Sequence, residues 1–94
     1  MENFQPLTDF YEAIADDARI GATHISLYMA LLQEWNIAVA QNPLSVNRDT
    51  MMKAARMGRK TYNKCMKELQ EYGYIKYEPS SNPLIRSKIY MKKF

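Results

Sequence analysis

Five side chains, Arg59, Lys60, Asn63, Lys64 and Lys67, recur at intervals of three and four residues within one short stretch. On an α-helix of roughly 3.6 residues per turn, that spacing lines them up along one stripe. The chemistry on offer is recognition of a polyanion. Arginine and lysine neutralise phosphates or pair with guanine O6 and N7, and asparagine pairs with adenine N6 and N7. No acid interrupts the stripe until Glu68 and Glu71, near the end of the segment, where a helix lying in a groove usually leaves it. Tyr62, Met66 and Leu69, with Cys65 beside them, fall on the other side. One helix with an apolar and a cationic face is therefore predicted from about Arg59 to Tyr72. Arg48 and Arg56 flank the segment before it and are placed for sugar–phosphate contacts. Arg86 and Lys88 follow in a C-terminal hairpin, within range of adjacent phosphates or a minor groove. The competing reading is an ordinary solvated helix face, with Glu68 and Glu71 as ion-pair partners of the lysines.

Other chemistry finds little support. His24 is the only histidine and Cys65 the only cysteine, too few for the four ligands a structural zinc site commonly takes. Cys65 lies beside the apolar stripe, as a buried inert thiol would. His24 is expected on the surface, in the first turn of a helix capped by Thr23. Asp16-Asp17 reads as a solvated acidic pair at a helix end. No glycine-rich phosphate loop is present. The sequence therefore predicts no enzyme, no metal and no cofactor.

Charge is unevenly distributed. Residues 1–47 hold one base and six acids, whereas residues 48–94 hold twelve bases and four acids. The two parts carry net −5 and +8, an asymmetry that points the second toward a polyanion. Ninety-four residues suit one domain, and 47% hydrophobic content is that of an ordinary globular chain. A single cysteine permits no internal disulfide. The opening residues lack the features of a signal peptide, and every apolar run is too short to span a bilayer. These features predict a soluble cytoplasmic protein with no membrane role.

The remaining elements follow from periodicity and punctuation. A first helix is expected from Thr8 or Asp9, with Asp9 to Glu12 as a variant capping box and Gly21 as its stop. A second runs from Thr23 to about Gln41, ended by Asn42-Pro43. Leu44 to Val46 is a short extended piece, and Asn47 caps a third helix to Arg56, with Met51 or Met52 and Ala55 turned inward. Met57-Gly58 makes the turn into the basic helix, which Gly73 stops. Tyr74 to Glu78 and Lys88 to Lys92 alternate as strands around a loop at residues 79–83. The order is helix, helix, strand, helix, helix, strand, loop, strand. Its last part is the plan of a winged helix-turn-helix, in which the second helix of the pair enters the major groove. The predicted class is α+β, one domain over residues 1–94, with N-terminal helices in 1–42 and the helix-turn-helix and wing in 43–94.

The run from Gly58 through Tyr62, Met66, Leu69 and Gly73 to Ile75 resembles the recognition-helix segment of bacterial winged-helix regulators. A wider set uses more of the chain: His24 to Tyr28, Trp35-Asn36, Asn42-Pro43, Thr61 to Cys65 and Tyr74 to Pro79. It is similar to small winged-helix transcriptional regulators carried on bacterial mobile elements, and more distantly to replication-initiator winged helices. The resemblance implies sequence-specific binding of double-stranded DNA. Two other readings remain open. One is a protein-interaction module in a replication or regulatory complex. The other is RNA or single-stranded DNA stacked on Tyr74, Tyr77 and Tyr90. The second helix carries Ile25, Tyr28, Met29, Leu31, Leu32 and Trp35, more apolar positions than one core stripe needs. That excess predicts a homodimer joined through Ile25, Tyr28, Met29, Leu32 and Trp35.

Overall fold

In a computed structural model of the chain, the described residues are 6–38, 44–78 and 86–91. They form helices α1 (Pro6–Ile14), α2 (Ala22–Ile37), α3 (Arg48–Ala55) and α4 (Arg59–Glu71), and strands β1 (Leu44–Val46), β2 (Ile75–Glu78) and β3 (Ser87–Met91). The strands make one antiparallel sheet in the order β1-β3-β2. The chain is thus a small α+β unit whose described elements follow the expected order.

Local chemistry accounts for most boundaries. α1 begins at Pro6, two to three residues earlier than expected, because proline suits a first helical position that has no intrahelical use for an N–H. Asp9 therefore lies inside the first turn rather than at its cap. α3 opens as predicted, with the Asn47 side chain accepting from the Thr50 N–H at 3.1 Å. It closes on Arg56, whose left-handed backbone (φ 59°) lets its N–H and that of Met57 reach back to the last turn. After α4 the chain leaves through Gly73 at φ 86°, the conformation glycine adopts most freely. The second helix, expected to run to about Gln41, ends at Ile37 with Ala38 as its C-cap, whose N–H bonds back to the Glu34 carbonyl. The loop at 79–83 and Lys92 lie outside the described residues.

The start of α2 differs more from expectation. Gly21 does not stop the first helix; it is the N-cap of α2, and Thr23 lies inside the first turn. The Gly21 N–H donates to Nδ1 of His24 at 3.0 Å, so an imidazole three residues on does what a capping-box glutamate usually does. His24 is therefore not a surface residue. It is 8% exposed and tied down at both ring nitrogens.

The core gathers around α2, and this decides what its excess of apolar residues is for. Phe10 of α1 stacks on Tyr28 with ring centroids 3.7 Å apart, and Tyr74 meets Phe10 edge-on at 5.6 Å. Burial pushes the Tyr28 hydroxyl up to about 12. On another side the Ser26 hydroxyl donates to the Ala55 carbonyl at the end of α3, at 2.8 Å. Tyr28, Leu31, Leu32 and Trp35 are all buried within the single chain. The surface from which the dimer was inferred is thus taken up chiefly by α1, α3 and α4. Of the five expected interface residues, Met29 is exposed and Ile25 half-buried; the other three face the core.

The sheet has one face inward and one outward. Leu44, Val46, Ile75, Ile89 and Met91 are buried, while Ser45, Lys76, Glu78 and Lys88 are exposed. Tyr77 pairs with Ile89 on the inner face, Tyr90 with Lys76 on the outer, and Tyr74 is buried before β2 begins. The three tyrosines therefore do not share a face, and they form no stacking platform.

Candidate functional site

Residues 59, 60, 63, 64 and 67 fall within about 140° of arc around α4, and residues 62, 65, 66 and 69 within a similar arc on the opposite side. The structure respects that division. Arg59, Lys60, Asn63, Lys64 and Lys67 are exposed, whereas Tyr62, Cys65, Met66 and Leu69 are buried. The cationic stripe extends over about 12 Å at the rise of a helix. It begins at the N-terminus of α4, whose first turn holds Arg59 and Lys60 and no acid. The helix's own unpaired N–H groups add positive potential there.

The other predicted bases surround this stripe to different degrees. Arg56 is exposed, three residues before Arg59 across the turn. Arg48, also exposed, lies near enough to α4 to oppose part of the upward shift that burial imposes on the Tyr62 hydroxyl. Arg86 is exposed at the entry to β3. Lys88 occupies the outer face of the sheet, in register with Glu78 on one side and Ser45 on the other. An acid directly across the strand offsets its charge, which makes it the least free of the nine.

A network holds α4 in place whose members the sequence either did not single out (Arg19, Tyr72) or assigned elsewhere. Asp17, expected as half of a solvated acidic pair, is instead bonded into it. Asp17 accepts from Arg19 Nε and Nη2 at 2.8 and 2.9 Å and from the Tyr74 hydroxyl at 2.6 Å. The Arg19 guanidinium lies 4.2 Å above the Tyr72 ring, a cation–π contact with the residue that caps α4. The Tyr72 hydroxyl donates to Glu68 Oε2 at 3.3 Å, and His24 Nε2–H donates to Glu68 Oε1 at 2.9 Å. With Nδ1 taking the Gly21 N–H, the network assigns His24 the Nε2–H tautomer. Among the described contacts Glu68 therefore bonds to His24 and not to a lysine of the stripe. It turns toward α2, and the hydrogen bond from His24 leads the causes that lower its carboxyl's pKa, with the nearby Lys64 charge a lesser one. This belt joins the connection after α1, the start of α2 and the far end of α4. It leaves the basic face of α4 turned to solvent.

Asp17 supplies a measurable signature. Hydrogen bonds from Arg19 and then Tyr74 hold its carboxyl well below the usual carboxylate range. A depressed folded-state pKa contributes stability above the unfolded value of about 4, lost as pH falls toward the folded value. Asp17→Asn is expected to lower the melting temperature at pH 7. The gap from the parent chain should narrow steadily below about pH 4, where the parent loses the same charge. Melting curves from pH 7 to pH 2 check this, and a gap that stays constant refutes it.

Among the described residues no helix is long and apolar enough to cross a membrane, and no three His, Cys, Asp or Glu residues are placed to hold a metal ion together. No protein-family model, curated protein or solved structure matches the chain.

Proposed function

We propose that this chain is a winged helix-turn-helix protein that binds double-stranded DNA. In this reading α3 and α4 are the helix pair, α4 is the recognition helix, and β2 and β3 form the wing. Regulation of a mobile element's genes is the role we assign it, on the resemblance noted above. The observation that carries the proposal is the first turn of α4. Arg59 and Lys60 stand there against a helix dipole of the same sign, an exposed placement that costs rather than adds stability. A polyanion reverses that sign, because phosphates are favoured at a helix N-terminus and by the bases beside it. Further support comes from Asn63 on the same stripe, a side chain suited to adenine, and from Arg48 and Arg56 at the two ends of α3.

Selection of bound duplexes from a random-sequence pool tests the proposal. Enrichment of a shared motif is the expected result; no retention of duplex at low salt would overturn it. Arg59 and Asn63 are the two stripe residues best able to pair bidentately with bases. Arg59→Ala and Asn63→Ala should each cost about 1–3 kcal/mol on the selected sequence, and less on random duplex. Equal losses on both would reduce these side chains to positioning contacts.

A further inference from the structure

Two surfaces complement one another, one on α1 and the other on α3, where it borders the proposed DNA face at Arg56. On α1, Leu7 is 40% exposed and Tyr11, one helical turn on, is 47% exposed. Glu12 is exposed on the same helix and Asp16 in the turn just after it, so the apolar crest is followed by exposed acid toward the helix's C-terminal end. On α3, an open groove of about 620 Å³ is lined by Met52, Met57, Lys53, Arg56 and Asp49. The two methionines are half-buried, and the charged side chains are exposed around them. Asp49 offsets one of the two bases, which leaves the rim net positive. Methionine suits such a surface, because its unbranched chain adapts to a partner's shape.

These surfaces cannot satisfy each other within one chain. α1 stacks on α2 through Tyr28, and α3 is bonded to α2 through Ser26. Those two positions lie roughly 200° apart around a helix, so α1 and α3 hold opposite flanks of α2. Leu7 and Tyr11, moreover, remain exposed in the folded chain, whereas Phe10 beside them is fully buried.

We propose that the α1 ridge of one chain docks into the α3 groove of a second copy, head to tail. Leu7 and Tyr11 would cover Met52 and Met57, while Glu12 and Asp16 meet Lys53 and Arg56. Every copy carries both halves on opposite flanks, so the contact is heterologous and repeats from chain to chain instead of closing as a two-fold dimer. It is a helix-in-groove contact of small area, and the association is correspondingly weak. The contact shares Arg56 with the proposed DNA face but is tested without DNA, so its failure leaves the duplex-binding proposal standing, and the reverse also holds.

Sedimentation equilibrium of the full chain without DNA, from micromolar to near-millimolar concentration, tests the proposal. The average mass should climb from 11.0 kDa past twice that value without a plateau, and less steeply at high salt. Two doubly substituted chains localise the contact. Glu12→Lys with Asp16→Lys reverses the ridge. Lys53→Glu with Arg56→Asn reverses the groove, asparagine being tolerant of the left-handed backbone at position 56. Each alone should weaken association by roughly tenfold or more, and an equimolar mixture should restore it, since reversed ridge then meets reversed groove. Circular dichroism confirms that both fold. The proposal is overturned if the parent chain stays at 11.0 kDa throughout, if its mass stops at a dimer, or if the mixture does not recover.

Discussion

A chain with Arg59, Lys60, Lys64 and Lys67 all replaced by alanine is expected to lose duplex binding at physiological salt. The four side chains are exposed on one stripe of α4 and enter none of the described hydrogen bonds or ion pairs of the fold. Their removal should therefore leave the melting temperature nearly unchanged, or raise it slightly by relieving the dipole-adverse first turn. Each phosphate contact contributes about 0.9 to the slope of log K against log salt, so four lost contacts flatten that slope by between about three and four units. Lys60→Ala and Lys64→Ala singly should each remove about one unit, nearly independent of sequence. Filter binding at four or more salt concentrations measures both quantities. If the fourfold variant binds duplex with parental affinity and slope, α4 does not face the DNA.

The largest stability effect is expected at a residue remote from that stripe. Phe10 has no exposed surface, stacks on Tyr28 and meets Tyr74 edge-on, so it joins α1, α2 and the segment entering β2. Phe10→Ala leaves a cavity among three elements and should lower unfolding free energy by about 3–5 kcal/mol. Against a total of about 5–15 kcal/mol for a small domain, that is enough to leave much of the chain unfolded at 37 °C. Urea denaturation followed by circular dichroism checks it, and a loss under about 1 kcal/mol would mean that α1 is not part of the cooperative core. At low temperature the folded fraction should retain its duplex affinity, which separates this residue from the stripe.

Much of the architecture was legible in the sequence, because it rests on short-range signals. The spacing of Tyr62, Met66 and Leu69 against Lys60, Lys64 and Lys67 settles the two faces of α4 wherever that helix packs. Asn47 and Gly73 mark a helix start and a helix exit through interactions within a few residues of themselves. The alternation around Ile75 and Ile89 sets the inner face of a strand before its partner is known.

What the sequence alone could not decide is where a surplus of apolar residues goes, and which polar residues meet across the fold. Tyr28, Leu32 and Trp35 looked like an interface because a lone amphipathic helix buries one stripe. Only the arrangement of α1, α3 and α4 around α2 shows them inside one chain. His24 and Glu68 lie 44 positions apart, and Asp17 and Tyr74 lie 57 apart. No local periodicity links such pairs, so a histidine read as exposed proves to be a buried cap, and an acid read as ending the basic stripe proves to anchor it. The stripe's chemistry belongs to the local sequence. Its presentation to solvent is decided by tertiary contacts, because those contacts determine which side of a helix remains uncovered.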